Sequence, residues 1–242
     1  MKSMILCAGE GRRASGCMDG MNKCLAVIPG FGRILDYSLN TAIELTDEII
    51  VLLGYKSCDV RKYVENYVAE HSVANRILFA QQDERNGLCG GILCCEPLLE
   101  GEDFLLFLGD EILTEPTHKD MIADFREYLA FASCGFVYAQ NQEDVKKTYS
   151  IELSGNIVTS LIEKPTQPTN NMVGTGNCVF RNSFCDYIRA YTKKNVESPQ
   201  YSFPDVLKYA IDAGQMVSAR KIGESYLNFN CKEDADRFVQ LS

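Results

Sequence analysis

The sequence predicts an α/β fold, doubly wound around a mostly parallel sheet, with a smaller β-rich lobe inserted late in the chain. Three observations carry this reading. Short uncharged apolar runs, such as FLLFL at Phe104–Leu108, have the length and composition of fully buried strands. Stretches of helical periodicity lie between them, and strands alternating with helices imply right-handed βαβ units. Beyond Ala139 the alternation gives way to a hairpin pattern.

Taken in order, Ser3–Ala8 is the first strand and feeds a glycine-containing loop. Ile34–Leu45 repeats apolar residues at helical spacing (Ile34, Leu35, Leu39, Ala42, Ile43) and stops near Thr46-Asp47. Glu48–Leu53 is a strand ended by Gly54, and Cys58–Ala69 is helical. Arg76–Ala80 and Phe104–Leu108 are further strands, the second running straight into Gly109-Asp110. Met121–Leu129 is a helix and Cys134–Ala139 a fifth strand. Ser150–Leu153 and Ile157–Ile162, joined through Gly155-Asn156, read as a hairpin. A polar stretch at Thr166–Asn171 precedes a strand at Gly176–Phe180, a helix from Asn182 and another near Phe203–Ala213. Met216–Arg220 and Tyr226–Asn230 close the sheet, and Glu233–Leu241 is a terminal helix. No linker divides the chain. The expectation is one domain, with a Rossmann-like core at 1–139, a β-rich part at 140–230 and a C-terminal helix at 231–242.

Composition excludes several classes. The apolar fraction of 46% and charged fraction of 24% are those of an ordinary globule. A net charge of −9 argues against nucleic acid or an anionic membrane as partner, because both need clustered Lys and Arg. An anionic ligand would have to be held by a few local cations or a metal. The longest apolar runs fall far short of the roughly 20 residues a membrane helix needs, and Met1–Ala8 is too short for a signal peptide. The 11 cysteines form no C-x-x-C pair, as expected of unpaired thiols in a reducing cytoplasm. With only His71 and His118 to help, a zinc site would have to be assembled from scattered residues.

In an open sheet of this kind ligands bind beyond the carboxyl ends of the strands, which directs attention to the residues after Ala8, Leu53, Ala80 and Leu108. The segment GEGRRA, Gly9–Ala14, meets the G-x-G-x-x-A spacing of a dinucleotide turn. That reading requires a carboxylate at the end of the second strand. The strand ends Leu52-Leu53-Gly54-Tyr55 instead, and about twenty residues separate the loop from the first helix. A Walker loop fails too, since no Gly directly precedes Lys23. What remains is Gly9, Gly11, Arg13 and Lys23: glycines that admit phosphate oxygens close to the backbone, and two compensating cations. A solvated turn carrying surface cations is the alternative for this segment taken alone.

ILCAGEGRR…NK resembles the signature loop of the sugar-phosphate nucleotidyltransferases, the glucose-1-phosphate thymidylyltransferases and their cytidylyl and uridylyl relatives. The likeness continues in order along nearly the whole chain. Gln82-x4-Gly87-Leu88 resembles the segment that reads a pyrimidine base, and Leu108-Gly109-Asp110 the motif whose Asp binds Mg²⁺. Glu163-Lys164-Pro165 resembles the acceptor motif, with Glu on a sugar hydroxyl and Lys on the acceptor phosphate. Thr175-Gly176 falls where the family closes on the sugar. Asn228–Asp234 resembles the C-terminal segment with a second metal ligand, here Asn228 or Asn230.

The resemblance implies an Mg²⁺-dependent nucleotidyltransferase, in which residues 140–230 form the acceptor-binding part. Arg13, Lys23 and Asp110 would be catalytic. Leu6, Ala8, Gly9, Gly11, Arg12, Arg13, Gln82, Gly87 and Gly109 would bind a nucleoside triphosphate (CTP, UTP or dTTP). Lys23, Tyr149, Glu163, Lys164, Thr175 and Gly176 would bind the acceptor, expected to be a sugar 1-phosphate. No acyltransferase or hexapeptide-repeat segment accompanies these motifs, so the chain is expected to perform this step alone. Relatives often form homodimers or tetramers, and nothing in the sequence fixes a number.

Such chemistry has good reason to use these residue types. The attacking phosphate is already an anion, so the obstacle is charge rather than proton removal. Two unit charges at about 4 Å repel by on the order of 4 kcal/mol at an effective dielectric of about 20. Positioning and electrostatic stabilisation must therefore dominate. Glu111, beside Asp110, is expected either to support that carboxylate or to face solvent.

Four departures from the family pattern stand out. Arg12 replaces Thr or Ser, adding a cation, and Asn22 replaces Pro, which is expected to loosen the turn before Lys23. Ser150 replaces a Gly after Tyr149, where a Cβ is expected to crowd a pyranose. The second metal ligand is an amide rather than a carboxylate. Two rivals stay open on these grounds: a cytidylyltransferase for phosphocholine or another non-sugar phosphate or phosphonate, and a non-catalytic regulatory homologue that binds sugar nucleotide.

Overall fold

The computed structural model describes residues 1–11, 20–84, 86–195 and 201–241. The chain begins with β1 (Lys2–Leu6), a single 3-10 turn at Lys23–Leu25, the short ribbon β2 (Val27–Ile28) and β3 (Gly32–Arg33), and helix α1 (Ile34–Leu45). There follow β4 (Glu48–Leu53), α2 (Ser57–Glu70), β5 (Arg76–Gln81), α3 (Gly87–Leu99), β6 (Phe104–Leu108), β7 (Glu111–Leu113) and α4 (His118–Glu127). The later part comprises β8 (Ala132–Tyr138), α5 (Gln142–Val145), β9 (Tyr149–Ser154), β10 (Ile157–Glu163) and β11 (Met172–Phe180). It ends with α6 (Phe184–Lys194), α7 (Phe203–Asp212), β12 (Val217–Lys221), β13 (Tyr226–Asn228) and α8 (Lys232–Leu241).

Nine strands form one sheet in the order β5-β4-β1-β6-β11-β8-β12-β10-β9. The first four are parallel, with Ser3 opposite Ile49 and Leu105 and Ile49 opposite Ile77. Their near-continuous apolar runs suit strands covered on both faces. Beyond β6 the expected parallel arrangement stops. Strand β11 enters antiparallel to both β6 and β8, and β12 returns parallel to β8 before the β9–β10 hairpin closes the edge. The sheet is therefore mixed. Nor do the β-rich residues make a sheet of their own, because β9 also pairs with β11 through Val173–Ser150 and Gly174–Tyr149.

Alternation along β1 sends Met4 and Leu6 into one apolar cluster and Ile5 and Cys7 into another on the opposite face. The first cluster takes side chains from α3, α6 and α7, the second from α1, α2 and α4. Helix α7 begins with a capping box between Ser202 and Asp205 and places Pro204 in its first turn, where the missing N–H costs nothing. A two-stranded antiparallel ribbon of β7 and β13 lies beyond the main sheet, with Glu111 opposite Asn228. It packs on a third, smaller cluster with α8, where Phe31 and Phe238 meet at 4.8 Å.

Helix α3 is absent from the sequence-based expectation. Its segment GLCGGILCCEPLL carries three glycines and an internal proline and is apolar almost all round, so it lacks the polar face that marks an amphipathic helix. It forms because tertiary burial overrides weak propensity: Cys89, Ile92, Cys95 and Leu99 are fully enclosed. Among the described residues no helix is long and apolar enough to cross a membrane.

Candidate active site

The carboxyl ends of β1, β4, β5 and β6 converge on a crevice of about 660 Å³. Its walls bring together Leu6, Ala8, Gly9, Gly11, Lys23, Gln82, Gly87 and Asp110, residues drawn from three separate strand ends. Arg12 and Arg13 lie outside the described residues. Gly109 sits just behind the wall, donating its N–H to the Leu6 carbonyl at 3.0 Å.

On the crevice floor the Lys23 ammonium pairs with the Asp110 carboxylate, both side chains more than four-fifths buried. The glycine loop lies directly over the Lys23 stem. Gly11 adopts φ +61°, and a Cβ there would approach the Lys23 Cβ and Cδ to 3.2 Å. Both backbone freedom and close approach are needed at that position.

Asn22 holds Lys23 in place, contrary to the loosening expected from the absence of proline. Its amide is fully buried, donating to the Cys7 carbonyl at 2.9 Å and the Tyr55 carbonyl at 2.8 Å and accepting from the Cys24 N–H at 2.9 Å. One side chain thus joins the end of β1, the loop after β4 and the 3-10 turn. Asn is a favoured residue ahead of a helical turn because its oxygen can accept from the N–H two residues on. That local signal was available in the sequence; the two long-range donations were not.

Gln82 follows β5 and is anchored through its N–H to the Leu53 carbonyl. Its Nε2 donates both hydrogens internally, to Asn86 Oδ1 at 2.8 Å and the Gly87 carbonyl at 2.9 Å. The Oε1 is left as the acceptor of this amide, beside Gly91 of α3.

Asp110 ends the turn after β6, and the next residue, Glu111, points the opposite way into the protein. Its carboxylate accepts from the Gly176 N–H at 3.0 Å, from Asn177 Nδ2 at 2.9 Å and from the Tyr226 hydroxyl. Burial, with the Asp110 charge alongside, pushes the Glu111 carboxyl up to about 8, against the opposing effect of the Tyr226 and Gly176 bonds. Behind it His118 contacts Asn177 Oδ1 at 2.8 Å, and burial drives its imidazole down to about 4. The expectation of a solvent-facing Glu111 is thereby excluded.

Asn228 pairs with Glu111 across the β7–β13 ribbon, and the Phe229 N–H donates to the Asp110 carbonyl at 3.0 Å. Asn230 donates from Nδ2 to Asn228 Oδ1 at 3.1 Å. No group of three or more His, Cys, Asp or Glu side chains is arranged to hold a metal among the described residues. Asp110 lines the crevice, whereas Asn228 lines a second cavity with Tyr226 and Asp234; the one carboxylate fits a hard cation that takes its other ligands from phosphate and water, as Mg²⁺ does.

The acceptor residues inferred from sequence divide into two groups. Glu163 and Lys164 end β10, joined by an ion pair of 3.2 Å; Lys164 is well exposed and Glu163 is raised by burial. Tyr149, Thr175 and Gly176 lie within the fold. The Tyr149 ring occupies the space where a Cβ of Gly174 would stand, at 2.2 Å, and its hydroxyl donates to the Thr175 carbonyl. Thr175 Oγ1 donates to the Gly135 carbonyl at 2.9 Å. The Tyr149 and Thr175 side chains are thus spent on bonds within the sheet, and none of the three residues lines the crevice.

Strand ends meeting at a glycine loop, a lysine and an anchored carboxylate are the framework of a phosphate-handling α/β enzyme. The chain belongs to the nucleotidyl transferase family, whose model matches residues 2–225. It is 26% identical over 243 residues to the UTP–glucose-1-phosphate uridylyltransferase AglF of Haloferax volcanii, covering 99% of this chain and 96% of that protein. It is 26% identical over 216 residues to the bifunctional protein GlmU of Methanocaldococcus jannaschii, covering 87% of this chain and 47% of the relative, about half its length. The structure of UTP-bound UGPase from Acinetobacter baumannii aligns with a TM-score of 0.78, over 99% of this chain and 92% of that one at 16% identity, a likeness of fold.

Proposed function

We propose that this protein transfers a nucleotidyl group from a pyrimidine nucleoside triphosphate, UTP or dTTP, to a sugar 1-phosphate, releasing pyrophosphate with Mg²⁺ as cofactor. The observation that carries the reading is the convergence of the glycine loop, the Lys23–Asp110 pair and the inward-held Gln82 on one crevice. Residues 1–139 supply the nucleotide core and residues 140–230 the acceptor part, with α8 closing the chain. A relative of similar length acts, by its name, on UTP and glucose 1-phosphate.

An acceptor phosphate oxygen forms a bond to the α-phosphorus as the bond to the bridging oxygen of pyrophosphate breaks. Gly9 and Gly11 admit the triphosphate close to the backbone, and Lys23, with Arg12 and Arg13, offsets its charge. Lys164 holds the acceptor phosphate and Glu163 a sugar hydroxyl. Asp110, with Asn228 or Asn230, holds Mg²⁺, which supplies charge neutralisation at the phosphates. No general base is required. Gln82 Oε1 accepts from N3–H of uracil or thymine; cytosine presents a lone pair at that position, which disfavours CTP and with it the phosphocholine alternative.

The substrates are small and free, which suits a cytoplasmic setting. Pyrophosphate release measured across CTP, UTP and dTTP against hexose 1-phosphates, phosphocholine and aminoethylphosphonate tests the reading. Turnover with UTP or dTTP and a hexose 1-phosphate is expected. Turnover confined to CTP and a non-sugar acceptor, or binding without release in any combination, would overturn it in favour of one rival or the other.

A further inference from the structure

We propose that Glu111 is a positioning residue for the reaction, locking the turn that carries Asp110 to the acceptor strand and to the ribbon that carries Asn228. The inference rests on the functional reading above. Glu111 is only 3% exposed, yet three strands meet at its carboxylate: it belongs to β7, Gly176 and Asn177 to β11, and Tyr226 to β13. Burying a carboxylate is costly, and an apolar side chain of similar volume would fill the space without that cost. What it could not do is receive three donors at once.

The geometry specifies where those donors act. Gly176 and Asn177 belong to the strand beneath the acceptor region. Tyr226 stands two residues before Asn228 on the same face of β13, and Asn228 is itself opposite Glu111. The Asp110 carbonyl is bonded to the residue after Asn228. The two candidate metal-binding positions are thus neighbours on one small ribbon, and Glu111 sets the height and tilt of that ribbon over β11. His118 completes the arrangement. Its Nε2–H, in the tautomer that donates, holds Asn177 Oδ1, so the amide hydrogens turn toward Glu111.

The test uses the full chain and the variants Tyr226→Phe, Glu111→Gln and Glu111→Leu. Three quantities are compared: Mn²⁺ affinity of the protein–UTP complex, read as free Mn²⁺ by electron paramagnetic resonance; kcat and KM; and thermal midpoint. Glu111→Leu is expected to weaken Mn²⁺ binding and lower kcat by about tenfold or more, with KM for UTP within about twofold. Tyr226→Phe should move the same two quantities by a smaller factor. Glu111→Gln, which keeps an acceptor oxygen, should recover part of the loss. Mn²⁺ affinity and kcat within twofold of the unmodified protein in folded Tyr226→Phe and Glu111→Gln would overturn the proposal, even if Glu111→Leu fails to fold. Equal losses in KM and kcat that follow the thermal midpoint would do so too. If the unmodified protein releases no pyrophosphate with any substrate pair, the functional reading fails while the Mn²⁺ comparison still decides the role of Glu111.

Discussion

Lys23 and Asp110 form an ion pair on the floor of the crevice, joining the turn after the glycine loop to the turn after β6. Each balances the other in the absence of ligand. On the proposed function, Lys23 would serve the phosphates and Asp110 would hold a divalent cation, which would supply charge neutralisation there. Asp110→Ala, Lys23→Ala and Arg13→Ala should each reduce turnover at least about a hundredfold, the scale of losing one preorganised charge at a reacting phosphate. Because Lys23 competes with the cation for Asp110, Lys23→Ala should also tighten Mg²⁺ binding to the nucleotide-free protein. Calorimetric titration reads the second effect and pyrophosphate release the first. Folded variants with near-normal rates would contradict the assigned roles.

Asn22 makes a separable prediction, because it touches Lys23 only through the chain. Asn22→Ala leaves the buried Cys7 carbonyl and the Cys24 N–H each short of a partner, at a cost of about 1–3 kcal/mol. The thermal midpoint should fall, and KM for the nucleotide should rise as the turn bearing Lys23 loses its tether. Asn22→Pro, which installs the residue common in the family, pre-sets the turn but cannot replace the donations to Cys7 and Tyr55. It should recover nucleotide affinity better than stability. Equal recovery of both would show that the tether is dispensable.

Much of this arrangement was legible in the sequence, and the illegible part has physical causes. The parallel strands announce themselves as apolar runs, and the glycine loop, Lys23, Gln82 and Asp110 follow from strand ends and short motifs. Three features resisted. Helix α3 has no polar face and three glycines, so periodicity misses it. The direction of β11 depends on pairing with β6 and β8, which is long-range information. Tyr149 is an acceptor residue by the family resemblance alone; that its ring turns inward into the space at Gly174, on the strand opposite, is again a long-range contact. Glu111 was ambiguous for the same reason: a charged residue after a strand faces water by default, and only its three donors show otherwise.

Gln82 links the local fold to nucleotide choice. With both Nε2 hydrogens committed to Asn86 and Gly87, rotating the amide to offer a donor would break two bonds at once. The unmodified protein should therefore prefer UTP or dTTP over CTP in kcat/KM by at least about tenfold, since a mismatched buried polar group costs on the order of 1–3 kcal/mol. Asn86→Ala frees one hydrogen of the amide and should narrow that preference while leaving turnover with UTP largely intact. An unchanged preference would place base reading elsewhere in the crevice.

His118 predicts how stability responds to acid. The imidazole is buried against Phe107 and held at a pKa of about 4, below the ordinary value of 6.5. Unfolding releases it to water, so between pH 6.5 and 4 the unfolded chain binds a proton that the folded one refuses. Stability must then rise with pH across that window and fall as the solution is acidified through it. From pH 7 to pH 5 the loss attributable to this side chain is about 2 kcal/mol, equivalent to roughly 4–8 °C in thermal midpoint for a chain of this size. His118→Gln carries no titrating group and can still donate toward Asn177. It should be less stable than the unmodified protein at pH 7, yet lose about 2 kcal/mol less on going to pH 5. Parallel denaturation curves for the two proteins at both pH values would assign the acid sensitivity to other groups.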